Sequence, residues 1–152
     1  MYTRGDLLPF GCKLCILLLA FSLLATAAIA TEEMGMYTVN VATNDTLGEY
    51  LVNETGFALY YFTKDAPGNG SSTCYGKCIE IWPPFYAEKI SVPESLNASD
   101  FTTALRTDGK EQTAYKGWPL YFYYKDTEPE DVYGHGVNNV WFVINSTDFM
   151  PM

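Results

Sequence analysis

Hydrophobic and polar residues alternate with period two over most of the chain beyond residue 36. Tyr37 to Val41 alternates apolar with polar, Gly48 to Asn53 carries a second such run, and Thr55-Gly56 supplies a turn before Ala58 to Thr63. In that third run Ala58, Tyr60 and Phe62 share one face and Leu59, Tyr61 and Thr63 the other; bulk on both faces predicts a central strand. Further on, Phe101 to Thr107 and Glu111 to Tyr115 flank Asp108-Gly109, the strongest short hairpin signal in the chain. Lys116-Gly117 turns into another strand, and Trp141 to Asn145 reads as the last. Only Cys74 to Ile81 and Ser99 to Leu105 compete as short helical turns. The expected fold class is therefore all-β.

The strands fall into two copies. Residues 56–65 (GFALYYFTKD) align without gaps on 117–126 (GWPLYFYYKD) at an offset of 61, with five of ten positions identical and three more aromatic in both. Each copy continues through a Gly-containing loop to a Trp, in Ile81-Trp82 and Val140-Trp141. Two repeats, about 46–86 and 101–145, imply a pseudo-two-fold domain and not a solenoid. A three-stranded meander cannot bury both faces alone, so the two should pack as a small sandwich or share a sheet. Leu59, Leu120, Trp82 and Trp141 are expected in one shared core.

The N-terminal thirty residues stand apart. Arg4 and Lys13 precede the mostly apolar run Leu14 to Ala30, which ends in Ala28-Ile29-Ala30. That pattern is expected of a signal peptide cleaved before Thr31; the alternative is an uncleaved membrane anchor, for which seventeen residues is the lower limit. Residues 31–152 then form one secreted domain. Of the whole chain's 152 residues, 18 are Asp or Glu and 9 Lys or Arg. This balance argues against nucleic-acid phosphates as partners. Five Asn-x-Ser/Thr triplets, at Asn44, Asn53, Asn69, Asn97 and Asn145, are potential glycan acceptors on an exported protein. The bland reading is that polar turns favour the same residues.

Both repeats carry Y-x-[FWY]-x-x-D, as Tyr60-x-Phe62-x-x-Asp65 and Tyr121-x-Tyr123-x-x-Asp126. With the segment from Ser72 through Cys74 and Cys78 to Trp82-Pro83-Pro84, and with Gly134-x-Gly136-Val137-Asn138-x-Val140-Trp141, the chain resembles the secreted repeat family of predicted lipoproteins. The resemblance implies export and duplication but no biochemical activity. Cys12 precedes the apolar run, so the chain lacks a usable lipobox, which departs from the family pattern.

Cys74 and Cys78 are the two cysteines beyond residue 30, and export favours a disulfide between them. A structural staple is preferred to a redox pair. Asp65 and Asp126 could end each strand in an Asx-type turn or offer oxygens to a cation. The acidic run Asp126 to Asp131 is expected to be solvated, with no specific metal and no cofactor. His135 has no evident nucleophile partner, and no catalytic fingerprint occurs. The expectation is a non-catalytic surface module that binds a glycan, ion or partner protein, with membrane contact only through the N-terminal segment. The alternative is an extracellular redox accessory using the Cys74/Cys78 pair or the Tyr and Trp residues.

Overall fold

The computed structural model describes residues 37–65 and 71–151. The predicted signal or anchor segment lies outside the described residues, as does Asn69. Seven strands follow in order: β1 (Val39–Asn44), β2 (Gly48–Asn53), β3 (Tyr60–Phe62), β4 (Phe101–Leu105), β5 (Glu111–Tyr115), β6 (Trp118–Pro119) and β7 (Trp141–Val143), with one helix, α1 (Lys77–Ile81), between β3 and β4. Short 3-10 turns cover Ala98–Asp100 and Val137–Asn139. The protein is all-β with minor helical turns. Among the described residues no helix is long and apolar enough to cross a membrane.

Both meanders form. In the first, β1 pairs antiparallel with β2, and the chain returns along β2 through a Val52–Ala58 bridge. In the second, β4 pairs with β5 and β5 with β6. The Asp108-Gly109 hairpin closes with Gly109 at φ +80°, a conformation that a Cβ would oppose. The four described Asn-x-Ser/Thr triplets are Asx turns: the side-chain oxygens of Asn44, Asn53, Asn97 and Asn145 accept from the backbone N–H two residues on, in Thr46, Thr55, Ser99 and Thr147. Each of these asparagines thus has a structural role in its turn.

The repeats are interlaced, not merely adjacent. The Trp141 segment of the second repeat pairs as β7 with β3 of the first, Tyr61 lying opposite Phe142. The Trp82 segment of the first repeat runs along the second repeat's equivalent segment, residues 120–124: Phe85 N–H donates to Leu120 C=O, Phe122 N–H to Pro83 C=O and Tyr124 N–H to Ile81 C=O. Two three-way backbone cycles repeat this exchange. Leu59 donates to Leu51, Leu51 to Ile144 and Ile144 to Leu59; in the other half Leu120 donates to Thr113, Thr113 to Phe85 and Phe85 to Leu120. At the pseudo-two-fold, Tyr60 and Tyr121 exchange N–H···O=C bonds of 2.9 and 3.0 Å. Each meander thus leaves one side unpaired until the other repeat's Trp segment fills it, which satisfies the edge groups of both.

The single shared core expected from the sequence is instead two. Leu59 and Leu120 belong to a cluster with Val39, Leu51, Tyr61, Phe85, Trp118 and Ile144. Trp82 and Trp141 lie in the other, with Tyr50, Tyr60, Tyr121 and Tyr123. The reason is strand geometry: successive side chains point to opposite faces, so Leu59 and Tyr60 cannot share one. Both clusters draw on both repeats.

Candidate functional site

The repeated motif is a reciprocal lock. Tyr60 of the first repeat donates its phenol proton to Asp126 of the second at 2.5 Å, and Tyr121 of the second donates to Asp65 of the first at 2.6 Å. All four side chains are buried. Each aspartate reaches across the loop that follows it. Asp65 accepts from the backbone N–H and the hydroxyl of Thr73, and Asp126 accepts from Tyr133 N–H at 3.0 Å. The Tyr121 hydroxyl also shares a 2.7 Å bond with Ser72, whose Oγ accepts from Cys74 N–H, and the Tyr60 hydroxyl accepts from Gly134 N–H. The motif spacing places a tyrosine at the symmetry axis and an aspartate just past the strand, where it meets the other copy's phenol.

Burial sets the electrostatics. Loss of water raises the Asp126 carboxyl to about 6 against the lowering pull of its Tyr60 and Tyr133 bonds, and Asp131 adds repulsion. Burial also raises Asp65, opposed by hydrogen bonds from Tyr121 and Thr73 and by the Arg106 charge. Both phenols are pushed well above their ordinary range, first by burial and then by the facing carboxylates. The folded protein therefore holds protons on these aspartates at pH values where the unfolded chain has lost them. Stability falls as pH rises from about 4 through 6, by about 1–2 kcal/mol for Asp126 once its partial contact with water is allowed for. Calorimetric melting should show a higher Tm at pH 5 than at pH 7, and Asp126→Asn should flatten that slope. A Tm that climbs equally with pH in both proteins would contradict this.

Between the two locks lies a column of four rings. Phe62 stacks on Trp141 with centroids 4.2 Å apart, Trp141 on Trp82 at 3.9 Å and Trp82 on Tyr123 at 4.3 Å. Tyr60 meets Trp82 edge-on at 5.4 Å, and Tyr121 meets Trp141 in the same way at 5.1 Å. The column repeats the pseudo-two-fold, with Phe62 answering Tyr123 and Trp82 answering Trp141. These motif aromatics are core.

Cys74 and Cys78 are disulfide-bonded with Cα atoms 5.3 Å apart; Cys74 precedes the turn at Gly76, and Cys78 lies in α1. His135 accepts from Val143 N–H and packs against Phe142, and burial lowers its pKa. In the acidic run, Asp126 turns inward while Asp131 accepts from Thr127 and Glu128 N–H. Among the described residues no three Asp, Glu, His or Cys side chains gather as metal ligands would.

Arg106 and Gly134 carry weight that sequence reasoning missed. Arg106, buried, donates to Gln112 Oε1 at 2.5 Å and to Cys74 C=O at 2.7 Å, and its guanidinium lies 4.5 Å from the Tyr75 ring centre. It joins the β4–β5 hairpin to the disulfide loop. Gly134 passes so close that a Cβ there would lie 2.7 Å from the Tyr60 ring. The faint signals were the rarity of arginine, two in the chain, and a glycine recurring in a loop.

The symmetry breaks at an exposed place in the second repeat. Tyr124 and Tyr133, 53% and 65% exposed, line an open groove of about 590 Å³ together with Tyr123, Lys125 and Thr127. The motif positions both rings: Tyr124 directly follows Tyr123 and donates its N–H to Ile81 C=O, and Tyr133 is held through its N–H by Asp126. Thr63 and Thr73 occupy the matching places in the first repeat, with Thr73 N–H on Asp65. Lys125 Nζ hovers 5.6 Å from the Tyr124 ring centre.

No curated protein and no solved structure matches the chain. A family model does, twice, over residues 41–86 and 102–145, which together make up more than half of the chain and correspond to the two interlaced repeats. The chain belongs to that family, described as a secreted repeat of unknown function, and it is accordingly a secreted repeat protein.

Proposed function

We propose that this secreted repeat protein is a non-catalytic binding module whose site is the Tyr124–Tyr133 groove and whose ligand is a neutral glycan. One observation carries the reading: the two repeats match in their locks and ring column, yet among the described residues the second presents a pair of exposed aromatics beside one groove, whereas Tyr86 of the first lines its groove without a second exposed ring. Residues needed for folding recur in both copies, so an exposed pair found in one copy points to use. Aromatic faces stack on the apolar faces of pyranose rings while their phenols offer hydrogen bonds. Charge narrows the ligand. Glu128, Glu130 and Asp131 follow the groove residue Thr127 and disfavour an anion, while Lys125 already occupies the cation position over Tyr124. An uncharged, hydroxyl-rich ligand meets neither objection.

Affinity electrophoresis through gels containing mannan, β-glucan or chitin tests this. One of them should retard the protein, and Tyr124→Ala or Tyr133→Ala should each weaken that binding by about tenfold, as expected for loss of one stacked ring worth ~1–1.5 kcal/mol. Melting temperatures should stay within a degree or two, because both rings are exposed. Retardation that survives the double replacement would refute the assignment.

A further inference from the structure

The buried motif tyrosines, the Trp pair and Tyr123 form more than a packed core. Each of Tyr60 and Tyr121 has a carboxylate oxygen on its phenol proton, and each touches the edge of one Trp of a face-to-face pair. A phenol loses an electron at a much lower potential when its proton can move at once to a bonded base. Here the base is internal and the ring is fully shielded from water, with Tyr60 and Tyr121 at 0% exposure. Trp82 stacks on Tyr123, Tyr123 contacts Tyr124 edge-on at 5.2 Å, and Tyr124 is half exposed. Oxidisable rings are therefore continuous from the buried phenols to the surface. The other end of the column closes on Phe62, which is not oxidisable at comparable potentials, and Thr63 stands where Tyr124 stands in the second repeat. Among the described residues the conduit has one exit.

We infer that the protein takes up oxidising equivalents at Tyr124 and stores them on the buried phenols, through the path Tyr124–Tyr123–Trp82–Tyr60. This goes beyond ligand binding in the groove and does not depend on it. The step balances internally. A one-electron outer-sphere oxidant, of the class of a high-potential metal complex, accepts one electron from Tyr124; electrons shift outward along the rings; Tyr60 is left as a neutral phenoxyl radical and its proton passes to Asp126. No bond to carbon is made or broken. A reductant of the ascorbate class returns an electron by the same rings, and the proton moves back from Asp126 to Tyr60. Tyr121 with Asp65 serves the Trp141 side in the same way. The acidic surface favours a cationic oxidant.

The test uses the intact disulfide-bonded protein and tris(bipyridine)ruthenium(III) generated by a laser flash, with tyrosyl radicals followed by transient absorbance and electron paramagnetic resonance. Wild type should form a tyrosyl radical that outlives that of N-acetyltyrosinamide by at least about tenfold, a difference of ~1.4 kcal/mol in barrier. Tyr60→Phe with Tyr121→Phe should abolish the long-lived radical. Should that pair fail to fold by near-ultraviolet circular dichroism, Tyr124→Phe answers alone: exposed and isosteric, it should slow formation of the buried radical by about tenfold. A long-lived radical that persists in the folded Tyr60→Phe/Tyr121→Phe protein would overturn the inference. So would an undiminished rate in Tyr124→Phe.

Discussion

Replacing Trp82 with alanine should lower the unfolding free energy by about 4–5 kcal/mol, the largest loss expected from a single substitution in this chain. Trp82 is 4% exposed and sits between Trp141 and Tyr123, with the edge of Tyr60 against it. Truncation to alanine removes the buried ring and leaves a cavity that the stacked neighbours cannot close without breaking the Trp141–Phe62 contact on the other side. Burial and cavity together cost about 3–5 kcal/mol for large aromatics, and paired-ring geometry puts this site at the upper end. Against a total stability of roughly 5–15 kcal/mol, that is a large share. Trp82→Phe, which keeps a stacked ring, should lose less than half as much. Urea unfolding followed by far-ultraviolet circular dichroism measures both. A loss below about 2 kcal/mol for Trp82→Ala would mean that the column is not the centre of the fold.

Arg106→Ala should follow, at about 3 kcal/mol. The guanidinium is the donor for Gln112 Oε1 and Cys74 C=O, and its nearest carboxylate, Asp108, is partly exposed at 3.3 Å. Alanine leaves the buried Gln112 amide oxygen without its Arg106 donor and the Cys74 carbonyl with only a long 3.4 Å bond from the Ser72 hydroxyl, losses of about 1–3 kcal/mol each at most, and removes the Tyr75 contact. Gln112 remains tied to Leu120 C=O, so the loss should not spread into the whole sheet. Lysine should rescue only part, because one ammonium cannot serve both acceptors in a fork. The midpoint of urea unfolding, at unchanged slope, is the observable. If Arg106→Lys were indistinguishable from wild type, the bidentate role would be wrong.

Local patterns carried the reading of the chain a long way, and long-range partnership is where they stopped. Period-two alternation located the strands, Asp108-Gly109 the hairpin, and the offset of 61 the pseudo-two-fold, because each is a relation among near neighbours or identical strings. The motif residues were visible for the same reason. Their partners were not: Tyr60 bonds Asp126 sixty-six residues away, whereas the same spacing within one copy suggested that Asp65 and Asp126 merely ended their own strands. A duplicated sequence looks the same whether its halves sit side by side or trade segments, so the exchange of the Trp82 and Trp141 strands left no mark. The Leu59 and Tyr60 faces were legible as alternation, yet their separation into two clusters depends on layers that only the assembled sheets define. The exposed pair Tyr124 and Tyr133 could have been noticed as the place where the second copy departs from the first, since Thr63 and Tyr124 differ within the aligned strings.

The interlacing itself is tested most directly by two double-mutant cycles in the full chain, read as unfolding free energies at fixed pH. One combines Tyr60→Phe with Asp126→Asn, the pair joined across repeats; the other combines Tyr60→Phe with Asp65→Asn, the pair within one motif copy. The cross-repeat cycle should show a coupling of about 1–2 kcal/mol, and the within-copy cycle should be additive to within about 0.5 kcal/mol. Coupling confined to Tyr60 and Asp65, with Tyr60 and Asp126 additive, would contradict the exchanged lock.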